Sequence, residues 1–125
     1  MNCVLLRGVV VSPAEEMPRR PGQSLVVRLI LRTTLRWYNT EGPREKNDFH
    51  TLQLRDGQAR MALDYAKPGT TAEILGALNS LVIEGEYFSL VSVQKIEILR
   101  IKREKNPVCP PVLLKGIRQL KKLDK

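Results

Sequence analysis

Aromatic side chains are scarce in this chain of 125 residues: one Trp, three Tyr and two Phe, 5% in all. Each of them therefore calls for its own account. Cysteine is scarcer still. Cys3 and Cys109 lie far apart without CxxC spacing, so neither a disulfide framework nor a metal or cofactor set is implied, and both read as reduced thiols. A single histidine, His50, leaves no second imidazole for a ligand pair. No GxSxG, HExxH or P-loop occurs, and Asp48, Glu84 and Glu86 have no evident partner for acid–base work, so enzymatic activity is not expected. No apolar run approaches the ~20 residues that a membrane span needs. The opening Met1-Asn2-Cys3-Val4-Leu5-Leu6-Arg7 has no positive region before its apolar stretch, so no signal peptide is expected.

Acidic residues are outnumbered, 13 against 21 Lys and Arg, giving a formal charge of +8 and pI ≈ 9.9. Such a balance points to a polyanionic partner or an acidic membrane surface. The excess is uneven. Residues 102–125 hold eight Lys or Arg against Glu104 and Asp124, or +6, while the preceding 101 residues carry only +2. Charge thus argues for a basic tail, and the body has to be read from its pattern. The length suits one domain, expected over 1–101, with 102–125 as an appendix.

Residues 3–11 are β-branched and aliphatic and predict a strand, with Gly8 marking a bend or bulge. Prolines break 12–23 into a loop. Ser24–Arg36 then alternates over a long run. Leu25, Val27, Leu29, Leu31 and Leu35 share one face; Arg28, Arg32 and Arg36 share the other with Val26, Ile30 and Thr34. This predicts a strand with a buried face and an exposed basic face. Trp37–Lys46, polar and centred on Gly42-Pro43, predicts a hairpin connection. Asn47–Arg55 alternates again, His50, Leu52 and Leu54 opposite Phe49, Thr51, Gln53 and Arg55. Asp56 is placed to cap a helix over Gln58–Lys67, and Thr70–Leu78 is read as a second short helical piece. Ser80–Phe88 and Leu90–Ile101 predict two strands joined near Tyr87–Ser89. Beyond Lys105, prolines make a linker, and 112–123 suggests a short amphipathic helix with Leu113, Ile117 and Leu120 on one side.

Five strands with a helix between the third and fourth is the order of the oligonucleotide-binding fold, a mainly β barrel whose second and third strands present the ligand face. Several segments support this. Asn2 through Gly8, Ser12-Pro13-Ala14-Glu15 with Arg20-Pro21-Gly22-Gln23, Asn47-Asp48-Phe49-His50-Thr51, Asn79-Ser80-Leu81-Val82-Ile83-Glu84-Gly85 and Ser92 through Leu99 fall in order and spacing. In these segments the chain resembles the bacterial single-stranded DNA-binding protein family, the tetrameric type, over residues 1–101. The resemblance implies single-stranded DNA as partner and a homo-oligomer, dimer or tetramer. It further implies service in replication, recombination or repair beside other proteins of those processes, in the cytoplasm at the nucleoid or in an organelle. No membrane partner is expected. It also implies that Trp37 and Phe49 stack bases, that Arg55 stands where members often carry an aromatic, and that Phe88 replaces another. The long hairpin between the family's fourth and fifth strands looks nearly absent, and the acidic recruiting tail is replaced by a basic one.

Arg28, Arg32 and Arg36 are either a solvated edge or a phosphate track. Their place beside Trp37 and Phe49 favours the track, since basic groups interleaved with aromatics hold single strands without reading sequence. Phe49 is expected to face outward, in stacking or at a subunit interface; His50 is expected in the core or at an interface. The Val9-Val10-Val11 run is a candidate subunit edge. The tail has three readings: solubilising charge, a nucleic-acid arm, or a basic helix docked on a subunit or membrane. Two other functions stay open: an accessory barrel of primosome or recombination acting through protein partners, and an RNA-binding barrel.

Overall fold

The computed structural model describes residues 1–100 and 102–123, with side chains described as far as Arg118. The side chains of Leu120, Lys121 and Lys122, and the residues Ile101, Asp124 and Lys125, lie outside the described residues.

The elements follow in the order β1 (Val4–Val10), β2 (Glu15–Glu16), β3 (Val26–Asn39), β4 (Gly42–Arg55), α1 (Asp56–Tyr65), β5 (Thr71–Ile83), β6 (Glu86–Ile98) and α2 (Pro111–Leu123). Five of the strands close into a barrel. β1 pairs with β5, β5 with β6, β6 with β4, β4 with β3, and β3 back with β1. Every pairing is antiparallel except β4–β6, where Leu52 lies opposite Val91. β2 is a two-residue rung on β3, Glu15 against Arg28. The predicted strand order and the helix between the third and fourth barrel strands are therefore present.

The barrel closes because β1 changes partner partway along. Val4 to Val9 pair with β5, and Val9 and Val10 pair with β3. Gly8 sits at that changeover, where an added Cβ would lie 2.1 Å from the Arg32 carbonyl oxygen. Only a glycine permits the approach. The Val9–Val11 run is consequently not an open edge, correcting that expectation: Val9 is paired on both sides, and Val10 and Val11 are buried.

The interior is filled by Val, Leu, Ile and Ala alone. Leu29, Leu31, Leu52 and Leu54 are fully buried, and α1 plugs one end with Ala59, Ala62 and its C-cap Ala66. Small side chains let the helix sit close to the barrel mouth. The expected Asp56 cap is not formed. Arg55 holds the N-cap position with no side-chain hydrogen bond, and Asp56 itself is the first helical residue at φ 51.

Two further expectations are corrected. Thr70–Leu78 is not helical; from Thr71 on it belongs to β5, with Ala72, Ile74 and Gly76 facing inward at period two. The β5–β6 connection lies at Glu84-Gly85, not at 87–89. Both residues have positive φ, 51 and 81, as a type I′ hairpin requires. The loop is short, but its strands project as an arm paired out to Ile83 and Glu86, so a projecting hairpin is present after all. Likewise Trp37–Lys46 is not a loop but ladder, from Trp37 opposite Arg44 to Asn39 opposite Gly42. Because β4 and β6 run parallel, both arms rise from the same end of the barrel, opposite α1.

A second, smaller cluster lies outside the barrel. Ile117 of α2, Val11, Met17 and Ile30 are buried together, with Val9, Val26, Phe49, Cys109 and Leu113 packed around them. α2 thus lies against the outer face of β3. Burial of Ile117 contributes roughly 1.5–3 kcal/mol to that docking.

Candidate nucleic-acid interface

The outer face of β3 carries the arginines that alternation singles out, but they are not an exposed row. Arg28 is only 6% exposed and donates from Nε and Nη2 to Gln53 Oε1, at 3.0 and 2.8 Å. Arg32 is held in a two-pronged pair with Glu104, Nη1 to Oε2 at 2.9 Å and Nη2 to Oε1 at 2.8 Å. The hydrogen bond from Arg32 pulls the Glu104 carboxyl below its ordinary range, and Glu104 in turn raises Arg32. Arg36 alone stands well exposed, 3.6 Å from Glu45. The expected exposed basic face is corrected accordingly. Alternation tells which side of the strand a residue takes, not what covers that side; here Glu104 of the C-terminal segment holds Arg32, while Arg28 is held by Gln53 beside a pocket that Met17, Pro18 and Arg19 help to line.

Trp37 and Phe49 do not form one platform. Phe49 lies opposite Arg32 on the outer face, half-buried against the cluster that holds Ile117. Trp37 lies five residues beyond Arg32, roughly 17 Å along the strand. By alternation it belongs to the other face, the one that prolongs Leu29 and Leu31 past the barrel. Trp37 is 41% exposed there. Arg44 is its cross-strand partner, and Lys46 is that of the neighbouring exposed Leu35.

Phe88 is half-buried on the β5–β6 arm, opposite Leu81. Beside it, Tyr87 is 80% exposed opposite the exposed Val82. Arg55 is exposed at the far end of the barrel, on the rim of a pocket of about 420 Å³ that Arg19, Arg28 and Gln53 also line. His50 is half-buried with Nε2 2.8 Å from Thr33 Oγ1, and burial lowers its pKa against the opposing pull of Asp48. It sits among packed groups.

What the sequence reading missed is the arms. Tyr38, 84% exposed, and Arg44, Lys46 and Tyr87 were left out with residues read as connection. The signal was available. Period two runs on through Tyr38, and Asn39 accepts the Glu41 N–H at 2.8 Å to close the turn just before Gly42. None of the six aromatic side chains is buried in the core; four of them, Trp37, Tyr38, Tyr87 and Phe88, stand on the two arms.

No helix among the described residues is long and apolar enough to cross a membrane, and no group of three or more His, Cys, Asp or Glu among them is arranged to hold a metal ion. No protein-family model matches the chain, and no curated protein does. Solved structures do match. A deletion variant of the single-stranded DNA binding protein from Thermus aquaticus superposes with a TM-score of 0.69 at 23% identity, over 80% of this chain and 51% of that one. The Plasmodium falciparum protein in complex with single-stranded DNA gives 0.68 at 17% identity, over 79% and 95%. A small single-stranded DNA-binding protein from Streptomyces coelicolor gives 0.60 at 17%, over 78% and 94%. The chain spans about half the length of the Thermus aquaticus protein. In fold, then, this chain is a closed five-stranded oligonucleotide-binding barrel of the kind those single-stranded DNA-binding proteins share.

Proposed function

We propose that the protein binds single-stranded DNA without marked sequence preference, and that its two projecting arms make the first contact. The observation that carries this reading is the placement of the aromatics. A barrel whose interior is entirely aliphatic holds four of its six aromatic side chains on two arms at one end. Trp37 and Leu35 face Arg44 and Lys46 across the ladder. Exposed rings stack bases for ~1–3 kcal/mol each whatever the base, and neighbouring cations follow the phosphates. The fold shared with proteins named for single-stranded DNA supports the ligand class.

Arg36, exposed, extends the basic surface of the arm, and Arg55 is exposed at the barrel's far end; Arg32 is held by Glu104, Phe49 packs at the Ile117 cluster, and Arg28 is held by Gln53. The protein acts as a binding protein, not an enzyme, in replication, recombination or repair, near the nucleoid, as a dimer or tetramer. The covered face favours one second reading, an accessory of those processes that holds DNA weakly and works through a protein partner.

Trp37, the chain's sole tryptophan, reports directly. Its fluorescence is followed while oligo-dT, matched RNA or duplex DNA is added at two salt concentrations. Quenching by oligo-dT alone, weakened by salt, is the expected result. An equal response to RNA moves the assignment to an RNA-binding barrel, and no response at low salt overturns the proposal for the arms.

A further inference from the structure

At the end of the barrel remote from the arms, the pocket of about 420 Å³ has a floor and a wall. The floor is the ladder itself. Arg28 on β3 lies directly opposite Gln53 on β4, and both side chains are more than nine-tenths buried. The wall is the loop between β2 and β3. It turns back through Pro21-Gly22, with Gly22 at φ 85 and the Gln23 N–H donating to the Arg20 carbonyl at 3.1 Å, as a type II turn requires. Buried Met17, whose N–H donates to the Val26 carbonyl at 2.8 Å, fastens the loop to β3.

The lining is biased in charge and in hydrogen-bonding sense. Arg19, Arg28 and Arg55 bring three guanidinium groups to it, and none of its lining residues is acidic. The two amides are biased the same way. Gln53 Oε1 accepts from Arg28 Nε and Nη2, and Gln23 Oε1 accepts the Arg20 N–H at 2.9 Å. With both oxygens engaged inside the protein, what each amide has left to offer is chiefly its N–H pair. Ser24 adds a hydroxyl. Glu15 and Glu16 of β2 temper the charge without lining the cavity. Glu15 lies opposite Arg28 across the ladder, and Glu16 stands 3.9 Å from Arg19 in an exposed pair of little strength. Arg55 is exposed at the rim. A cationic ligand finds few acceptors in such a lining, whereas a compact anion with several oxygens accepts on every side. The volume, about 420 Å³, falls in the range of small-molecule sites, so the cavity admits the sugar attached to a phosphate as well as the phosphate.

We propose that this pocket is a phosphate-binding site, in which Arg28 and Gln53 form a fixed floor and Arg19 and Arg55 close on the anion from the rim. On the reading of single-stranded DNA as ligand, the phosphate belongs to the strand, either between two nucleotides or at a 5′ end; a free nucleotide carries the same group. The inference rests on that reading for the source of the phosphate, and on the pocket alone for its chemistry.

Nine residues of β3, about 30 Å, separate Arg28 from Trp37, so the pocket and the arms report independently. In the isotopically labelled full chain, the Arg28 Nε–H, held on Gln53, gives its own nuclear magnetic resonance cross-peak, while Trp37 gives its fluorescence. Sodium phosphate is titrated beside sodium chloride at equal ionic strength. Phosphate alone is expected to displace the Arg28 peak saturably, with a midpoint of about 10 mM or below. An equal displacement by chloride, or one that climbs without saturating, overturns the site. Arg19→Gln and Arg55→Gln, both at exposed positions, are each expected to weaken phosphate about tenfold; unaltered affinity in both overturns it. Oligo-dT of about 16 nucleotides, with and without a 5′-phosphate, then identifies the source. The same displacement by both strands assigns an internal phosphate, and by the phosphorylated strand alone a terminal one. Displacement by thymidine 5′-monophosphate but by neither strand assigns a free nucleotide, and each of the three upholds the pocket. Quenching of Trp37 with the Arg28 peak unmoved by any of these probes overturns the pocket and leaves the arms standing. A displaced Arg28 peak without quenching upholds the pocket and removes the arms.

Discussion

Trp37 and Phe49 carry the same expectation in the sequence but stand on different faces in the structure, so truncating each to alanine gives different binding signatures. Trp37 stands 41% exposed on the β3–β4 arm, with Arg44 across the ladder. Trp37→Ala removes one stacking ring, worth ~1–3 kcal/mol, and weakens binding of oligo-dT about 5- to 150-fold. About three-fifths of the ring is covered, so stability falls as well, by about 1–2 kcal/mol. Phe49 is half-buried against the cluster around Ile117 and Ile30. Fully buried Phe→Ala changes cost about 3–5 kcal/mol. With half the side chain covered, Phe49→Ala is expected to cost about 1.5–2.5 kcal/mol and to lower Tm by at least about 6 °C. Its loss of affinity should be the smaller of the two. Since Trp37→Ala loses the intrinsic probe, both variants are compared by anisotropy of a labelled oligo-dT, and both are melted by circular dichroism. The reasoning fails if Trp37→Ala binds as the unaltered chain does while Phe49→Ala abolishes binding at unchanged Tm. That outcome makes the outer face, not the arm, the working platform.

Gly8→Ala is expected to cost upwards of about 2 kcal/mol, because the new methyl meets backbone at 2.1 Å rather than a side chain able to turn aside; urea denaturation measures it, and a loss below about 0.5 kcal/mol would show that β1 passes between its partners without the close approach. The Glu104 carboxyl is held low by Arg32, so its contribution is complete above the ordinary carboxyl value of 4.5 and is lost as pH falls through the lowered folded value. The pair is partly exposed and worth about 0.2–1 kcal/mol. Glu104→Gln should therefore be less stable near about pH 7 and converge with the unaltered chain near about pH 3; a constant gap would remove the ion pair as its cause. His50 is lowered by burial, so stability declines as pH drops below its ordinary value of 6.5 and levels off beneath its folded value. His50→Gln should flatten that step in denaturation midpoints taken between about pH 7 and about pH 5, and an unchanged step would assign it elsewhere.

The barrel was legible because its interior follows period two along β3 and β4; on β6 a bulge shifts the inward set from Val91 and Val93 to Ile96 and Ile98. Leu25, Val27, Leu29 and Leu31 on one strand, and Leu52 and Leu54 on the next, are all in the core as alternation places them. β5 was not legible. Its opening residues include Ala72, Glu73, Leu75 and Ala77, which favour helix locally, and only pairing with β1 on one side and β6 on the other makes them a strand. The arms were missed for a related reason. Outside the barrel nothing demands apolar residues, so Arg44 to Lys46 look like a loop although their backbone is ladder. For the site, alternation found the face on which Arg28, Arg32 and Phe49 lie. It carried no information about a helix eighty residues later that lies on that face, because Ile117 and Ile30 are joined only by tertiary packing.

The scarcity of aromatics takes on a different meaning once their positions are known. Large rings ordinarily contribute most when buried, and a chain of this size with six of them would gain most stability by placing them inside. This barrel places none inside. Leu, Val, Ile and Ala fill the interior, and α1 closes it with alanines. Tyr38 and Tyr87 are more than three-quarters exposed and return almost nothing in burial, so the fold does not require them and replacing either by Ser would leave stability nearly unchanged. Their use lies in what arrives from solvent. A planar, uncharged, sequence-tolerant surface beside cations is what a flexible polyanion with stacked rings can grip. The second cluster follows the same division. Its buried members are aliphatic or Met, while Phe49, the one ring in contact with it, sits at its margin, half covered.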